Sequence, residues 1–383
     1  MAESSFTPHS FLIKLSPDLL TQYAKKQNIP FETKIEEAGE ELMEEFLKTL
    51  EKEPEEKQDM FWLDSIDIDE IGTGNGCDYL LSRILEHGYD FDKKAYQELK
   101  NAKERALYLY LNFGELFTEI CDEYGIENMQ GWRGEKTVSK PYEDIVVNIF
   151  DLEQGLKTIF KKEFKGNNLK VKHIRKKERV IFIGFVEDSL TNDTAFKKGT
   201  LKNRMPRKPV FHVYYIYNTE QGILDVKAKG GKRKIKQLKE AFIECLLKEE
   251  ANVIDDVRYN FETIKDIEDL KFPVERTDLI QSVTLKGLRL IHNSTKTRVA
   301  IDVGNTSATG TEAMIESLKR MEIDLMDYRV TQFKLEIIFD NLGKGRTPKV
   351  SVTLSYPNIC NLKDREIDIE VRRLLKKWNL DLF

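Results

Sequence analysis

Cysteine, histidine, tryptophan and proline are all scarce in this chain of 383 residues, which holds 4, 5, 3 and 10 of them. Successive cysteines lie 44, 124 and 115 positions apart, at Cys77, Cys121, Cys245 and Cys360. These spacings suit neither a zinc knuckle nor a C-x-x-C redox pair. We therefore expect reduced structural thiols, no bound metal and no other cofactor.

Long apolar runs are also missing. The longest, VIFIGFV at 180–186, is far shorter than the roughly 20 residues that cross a bilayer. The first residues lack the basic flank and apolar stretch of a signal peptide. The sequence therefore predicts a cytoplasmic protein with no membrane partner.

Charge is distributed unevenly along the chain, although the net charge is only −5. Residues 1–150 hold 16 Lys and Arg against 32 Asp and Glu, whereas residues 151–250 hold 24 against 13. The remaining residues, 251–383, balance at 21 against 21. Such a separation indicates something about the partners of each segment and nothing about its fold.

The acidic first segment has the apolar spacing of helices. In residues 33–53 the apolar side chains recur every three or four positions, with glutamates between them. Residues 95–125 predict one long helix or two adjoining helices with a break near Gly114, and GTGNG at 72–76 predicts a loop. Acidic faces of this kind are solvated or dock on a basic surface of the same chain or of a partner.

The basic second segment predicts a helix at 151–164, strands at 179–187, 209–218 and 222–229, and a helix that begins near residue 232. NTEQG between the last two strands indicates a hairpin. The last segment predicts the order strand, strand, helix twice, with a capping box of Thr309 and Glu312 before the first helix. We expect either a duplication or a repeated architecture without common ancestry.

These patterns together predict an α+β protein of three parts. They are an acidic, mostly helical domain at 1–150, a basic α-β-β-β-α domain at 151–270, and a duplicated ββα domain at 271–383.

Most enzyme motifs are excluded by spacing. Gly231-Lys232 is followed by Arg233 and lacks the earlier glycine of a P-loop, and GTGNG lacks the glycine spacing of a dinucleotide-binding loop. The histidines are scattered and predict no catalytic triad.

One catalytic alternative stays open. Asp225-Val226-Lys227 precedes a helix, and this context resembles the (D/E)-x-K element of the PD-(D/E)-x-K nucleases. That resemblance implies two carboxylates that bind Mg²⁺ and a lysine that stabilises phosphate charge. The second carboxylate is missing from the strand before, and Asp188 on an earlier strand is the substitute.

The most distinctive feature is three lysine- and arginine-rich segments, predicted as loops of one small sheet, at 161–179, 197–208 and 227–236. If they converge on one surface, their cations neutralise nucleic-acid phosphates, and Tyr214, Tyr215 and Tyr217 would stack bases if they point outward. The predicted contact residues are Lys176, Lys177, Arg179, Lys202, Arg204, Arg207, Lys229, Gly230, Gly231, Lys232, Arg233, Lys234 and Lys236.

The functional prediction is therefore a non-catalytic subunit of a larger assembly that binds DNA or RNA backbone or acts as a scaffold. Two alternatives remain, a Mg²⁺-dependent nuclease and a subunit that only pairs its acidic and basic surfaces with proteins. A role in bacterial defence against phage is a further hypothesis to which no residue is assigned.

Overall fold

The computed structural model describes residues 6–197, 199–250, 257–304, 310–340, 347–363 and 365–383. It divides into two compact units, Met1–Met129 and Gln130–Phe383. The first is helical and the second is built on a large antiparallel sheet, so the α+β class is confirmed.

The Met1–Met129 unit packs its helices around one aromatic-rich core, in which Tyr23, Phe46 and Phe61 are fully buried. Its helices are α1 (Pro8–Leu12), α2 (Pro17–Lys26), α3 (Glu40–Leu50), α4 (Glu55–Ile71), α5 (Gly74–Glu86), α6 (Lys93–Glu98) and α7 (Ala102–Glu127). The break near Gly114 is confirmed, since this residue has non-helical dihedral angles inside α7.

Two details of this unit differ from the predictions. The helix expected from residue 33 begins only at Glu40, after Gly39. The GTGNG segment is not a loop, because α5 already begins at Gly74. The hydroxyl of Thr73 accepts a hydrogen bond from the Gly76 amide at 3.0 Å, and this N-cap offsets the poor helix propensity of glycine.

The Gln130–Phe383 unit contains a sheet whose neighbouring strands are all antiparallel, in the order β2-β3-β6-β7-β1-β12-β11-β10-β8-β9. A separate two-stranded ribbon pairs β4 with β5. The strands are β1 (Trp132–Lys136), β2 (Leu169–Lys176), β3 (Arg179–Glu187), β4 (Thr191–Lys197), β5 (Thr200–Arg207), β6 (Val210–Asn218), β7 (Ile223–Ala228), β8 (Ile280–His292), β9 (Arg298–Asp302), β10 (Tyr328–Phe339), β11 (Lys349–Ser355) and β12 (Ile359–Cys360).

Helices cover this sheet. They are α8 (Tyr142–Val146), α9 (Ile149–Lys161), α10 (Lys232–Phe242), α11 (Glu312–Arg320) and α12 (Glu366–Lys377). Phe160 of α9 and Phe242 of α10 pack with Phe182, Val213 and Tyr215 on one side of β3 and β6. A second core lies under α11 and α12 around Phe333.

The central segment has more strands than predicted. The strands at 179–187, 209–218 and 222–229 and the β6–β7 hairpin are confirmed. Two segments predicted as basic loops are instead β2 and the β4–β5 ribbon. In β2 only Leu169 and Val171 alternate with lysines before the pattern ends, and the ribbon has no buried face, so its sequence lacks the alternation that marks a half-buried strand.

The last segment has the predicted order of strands and helices, with β12 added before α12. The first strands of the two hairpins, β8 and β10, pair antiparallel along most of their length. A local twofold relation of this kind is expected of a duplicated unit, and common ancestry stays a prediction. Thr309 of the predicted capping box lies outside the described residues.

The segments predicted as two separate domains, 151–270 and 271–383, contribute strands to one sheet. They meet at β1, which pairs with β7 on one side and with β12 on the other. β1 itself comes from the segment predicted as part of the acidic domain. The domain boundaries at 150 and 270 therefore remain predictions.

Candidate nucleic-acid interface

The basic segments lie at opposite ends of the strands of the sheet. Lys176 pairs with Arg179, and Arg179 with Asn218, at what we call the turn end. Glu187 pairs with Val210 at the other end, the ribbon end, where β7 also finishes. Nine residues of β3 separate the two ends by about 27 Å. The start of the first segment also lies at the ribbon end, where Lys165 pairs with Asp188 at 3.0 Å. The expected convergence is therefore wrong for Lys176, Lys177 and Arg179, because an antiparallel strand carries its two connections at opposite ends.

The β4–β5 ribbon extends from the ribbon end and pairs with no other strand among the described residues. Lys202 and Arg204 of β5 are exposed, and neither makes an ion pair with any residue that the structure describes. Arg207 lies 3.6 Å from Asp193, measured between Nη1 and Oδ2, and both side chains remain largely exposed. The ribbon therefore presents cations to solvent without a matching set of acids.

The segment from Lys229 to Lys236 lies at this same end, between β7 and the first turns of α10. Gly230 has φ 129°, and a Cβ there would come within 2.9 Å of the Lys234 side chain. Both facts require glycine at this turn. Lys234 places its Nζ 2.5 Å from Oε1 of Glu163, whereas Arg233 and Lys236 are exposed and have no ion pair within the described ranges.

Two acids at the base of the ribbon, Glu187 and Asp188, interact with cations around them, and Asp188 also with the charge of Lys229. Hydrogen bonds from Asn168 and Lys208 hold the pKa of Glu187 below its usual range. Desolvation opposes the shift at Asp188, but the Ser189 amide, Lys165 and the charge of Lys229 hold its pKa below the usual range. Both carboxylates are therefore charged near neutral pH. They neutralise cations at the base of the ribbon and do not reach those further along it.

The turn end holds the remaining predicted contacts. Lys177 is exposed in the β2–β3 turn with φ 51°. Arg179 and Lys176 are half-buried, and Arg179 lies 3.9 Å from Glu178. The structure does not bring these residues to the ribbon.

The three tyrosines of β6 do not form a stacking platform. Tyr215 and Tyr217 point toward the helices and are fully buried. The Tyr215 hydroxyl donates to the Leu238 carbonyl at 3.1 Å, and the Tyr217 hydroxyl donates to the Val138 carbonyl at 2.6 Å. Tyr214 alone lies on the other side of the sheet, because successive residues of a strand alternate between faces.

The residues of the nuclease alternative do not assemble. Asp225 accepts a hydrogen bond from the buried Arg258 at 3.3 Å, and Lys227 donates to the Gln130 carbonyl. Asp225 lies level with Ile181 across β6, so Asp188 is about 23 Å further along β3. The described part of the chain contains no group of three His, Cys, Asp or Glu residues placed to hold a metal ion.

Comparison with protein-family models and with curated proteins gave no match. Within the described ranges, no helix is both long enough and apolar enough to cross a membrane.

Sequence reasoning missed Arg133, on β1, and Lys239, in the last turn of α10. Arg133 lies on β1, a strand of five residues with only one apolar side chain, WRGEK, which gives no periodic signal. Lys239 is buried against Glu135, with Nζ and Oε2 3.0 Å apart. A lysine at the end of a charged helix face gives no sequence sign of burial.

Proposed function

We propose that the Gln130–Phe383 unit binds nucleic acid without cleaving it, through the ribbon end of its sheet. One observation carries this proposal, the β4–β5 ribbon with Lys202, Arg204 and Arg207 on a strand that contains no acid. Exposed cations of this kind bind phosphates and release counterions, a favourable term that does not depend on sequence.

The shape of the ribbon favours a duplex as the partner. Two paired strands are about 5 Å apart, and the major groove of B-DNA, about 12 Å wide, admits a two-stranded ribbon. Arg233 near the start of α10 would then contact the flanking backbone. In this arrangement the ribbon enters the groove and the helix start fixes its position.

The tip of the ribbon carries an apolar pair. Phe196 and Leu201 are cross-strand partners, and they are 71% and 51% exposed. In the major groove, apolar side chains of this kind contact the methyl groups of thymine. The ribbon therefore combines cations for the backbone with an apolar tip for the base edges.

A protein partner is supported by a separate surface. Val147 and Phe150, at the junction of α8 and α9, are 78% and 66% exposed. Adjacent exposed apolar side chains are typical of protein contact sites. This surface supports membership in a larger assembly, and the role in bacterial defence stays a hypothesis.

The test is reversal of charge on the ribbon. We expect Lys202→Glu, Arg204→Glu and Arg207→Glu together to weaken binding of a short duplex DNA at least about tenfold at low salt. The slope of log affinity against log salt should fall by about 0.9 for each phosphate that the variant no longer neutralises. Fluorescence anisotropy between about 50 and 200 mM salt measures both quantities.

The matched control reverses Lys93, Lys94 and Lys100, which are exposed lysines of the Met1–Met129 unit. This variant changes the net charge by the same amount and should leave affinity and slope unchanged. Equal losses in the two variants, or an unchanged slope in the ribbon variant, would exclude the ribbon as the contact surface.

A further inference from the structure

A cleft lies beside α10, between this helix and β1. It has a volume of about 220 Å³ and is lined by β1, α10 and the turn before β12. We call it the α10 cleft; its lining residues are Arg133, Lys232, Ile235, Lys236, Lys239 and the segment 356–359.

The helix period builds one wall of the α10 cleft. Lys232, Ile235, Lys236 and Lys239 are spaced by three, one and three positions, which places them on one face of α10. Arg133 pairs with Val226, whose side chain packs in the core beneath the helices, so Arg133 also lies on the helix-facing side of the sheet. The sequence thus directs cations from two elements into one space.

The opposite wall is a turn fixed to β1. The Asn358 amide donates to the Gly134 carbonyl at 3.0 Å, and Asn358 is buried. Tyr356 lies two residues earlier and is 42% exposed. Its ring centroid is 5.2 Å from the guanidinium of Arg329 and 5.8 Å from the ring of Phe261. An aromatic ring that is partly open to solvent therefore stands at the rim of a basic cleft.

Every charged side chain that lines the α10 cleft is a cation. Lys239 is balanced by Glu135, 3.0 Å away. Arg133 and Lys236 have no ion pair with any residue in the described ranges, and the Arg133 side chain is half-buried. A half-buried guanidinium without a carboxylate is costly unless an anion from outside the chain occupies the space.

We propose that the α10 cleft binds the phosphate monoester of a nucleotide. Arg133 and Lys236 hold the phosphate, for which the guanidinium supplies paired donors, and Tyr356 at the rim would contact the sugar or base. The cleft is smaller than the roughly 300–1,000 Å³ of sites for drug-sized ligands, so it would hold the phosphate inside and leave the sugar and base at its open rim. This site is independent of the ribbon, because it recognises a terminal phosphate and not a duplex groove.

Two sources supply this chemistry, a free nucleotide and the phosphorylated end of a strand. The probes are adenosine, adenosine 5′-monophosphate, and one short single strand with either a 5′-phosphate or a 5′-hydroxyl. Calorimetry on the full chain should show the monophosphate or the phosphorylated strand binding at least about tenfold more tightly than its unphosphorylated counterpart. Preference for the mononucleotide assigns a free ligand, and preference for the strand assigns a strand end.

Arg133→Gln should weaken binding of the phosphorylated probe at least about tenfold, whereas Lys202→Gln on the ribbon should leave that affinity unchanged. Lys236→Gln, at an exposed side chain, decides the question if Arg133→Gln fails to fold. The triple ribbon variant should keep cleft binding, which separates failure of this site from failure of the proposed duplex contact. The proposal would be overturned if the protein bound phosphorylated and unphosphorylated probes equally. It would also be overturned if Arg133→Gln and Lys236→Gln both kept the preference for the phosphorylated probe.

Discussion

The two units of this chain differ most in their surface charge. The Met1–Met129 unit holds 13 Lys and Arg against 29 Asp and Glu, a net charge of −16, whereas Gln130–Phe383 holds 48 against 37, a net charge of +11. Their interiors are alike in kind, because each unit buries an apolar core and at least one ion pair. Arg83 pairs with Glu123 in the first, and Lys239 with Glu135 in the second.

This contrast shows that the two units differ in the charge that they expose and not in the kind of interior that they bury. Acids of the helical unit are distributed over several helices. In the sheet unit, acids inside the fold bind cations such as Arg258, and exposed cations stand out on the ribbon and at the start of α10. Four predictions test this separation between buried charges that stabilise the fold and exposed charges that we propose to contact nucleic acid.

The largest effect is expected at the most buried cation. Arg258 binds both carboxylate oxygens of Asp381 at 3.0 Å, and the Asp381 side chain is fully buried. Arg258→Ala would leave that carboxylate unpaired and should lower the free energy of unfolding by about 3–5 kcal/mol. Tryptophan fluorescence in urea measures it, since Trp132 and Trp378 both lie in this unit.

The matched control is Arg320→Ala, which removes an exposed pair with Glu316. It should change the stability by less than about 1 kcal/mol. Equal costs for Arg258 and Arg320 would break the distinction between buried and exposed cations.

A smaller effect is expected at the buried tyrosines. Tyr215→Phe removes the donor to the Leu238 carbonyl and should lower the free energy of unfolding by about 1 kcal/mol. Affinity for single-stranded nucleic acid should not change, because the ring is inaccessible. A loss of affinity in a fully folded variant would show that Tyr215 contacts the ligand.

The turn end should contribute less to binding than the ribbon. Lys176→Glu with Lys177→Glu is expected to weaken duplex binding less than about threefold, because these residues lie about 27 Å from the ribbon end. Anisotropy under the conditions used for the ribbon variant gives the comparison. Losses as large as those of the ribbon variant would extend the interface over the whole sheet.

The smallest effect belongs to the acidic unit. Desolvation and the nearby carboxylates of Asp64, Asp122 and Glu70 raise the pKa of Asp67 to about 6. Because this value is above that of the unfolded chain, the charged form destabilises the fold above pH 6, and the penalty disappears as the pH falls toward 4.

Asp67→Asn should therefore raise the urea midpoint at pH 8 and leave it unchanged near pH 4. The gain should stay below about 1 kcal/mol, because Asp67 is only partly shielded from water and solvent screens the neighbouring carboxylates. Circular dichroism in urea follows the helical unit. A gain that does not vary with pH would show that crowding of acids is not its cause.

Regular elements with a buried face were predictable from the sequence. The helix break at Gly114 and the β6–β7 hairpin are both confirmed, because local backbone preferences and apolar alternation decide them. The β4–β5 ribbon was missed because its β5 strand has no buried residue. A strand that lies outside the core leaves no pattern of burial in its sequence.

The sequence by itself determined the α+β class and the uneven distribution of charge, since periodicity and composition are local properties. Only the tertiary structure decided which cations share a surface. Strand direction sent Lys177 and Lys202 to opposite ends of the sheet, and strand pairing brought Arg133 beside Lys236, more than one hundred positions away. Distances of this kind depend on register and topology, which no single segment of the chain encodes.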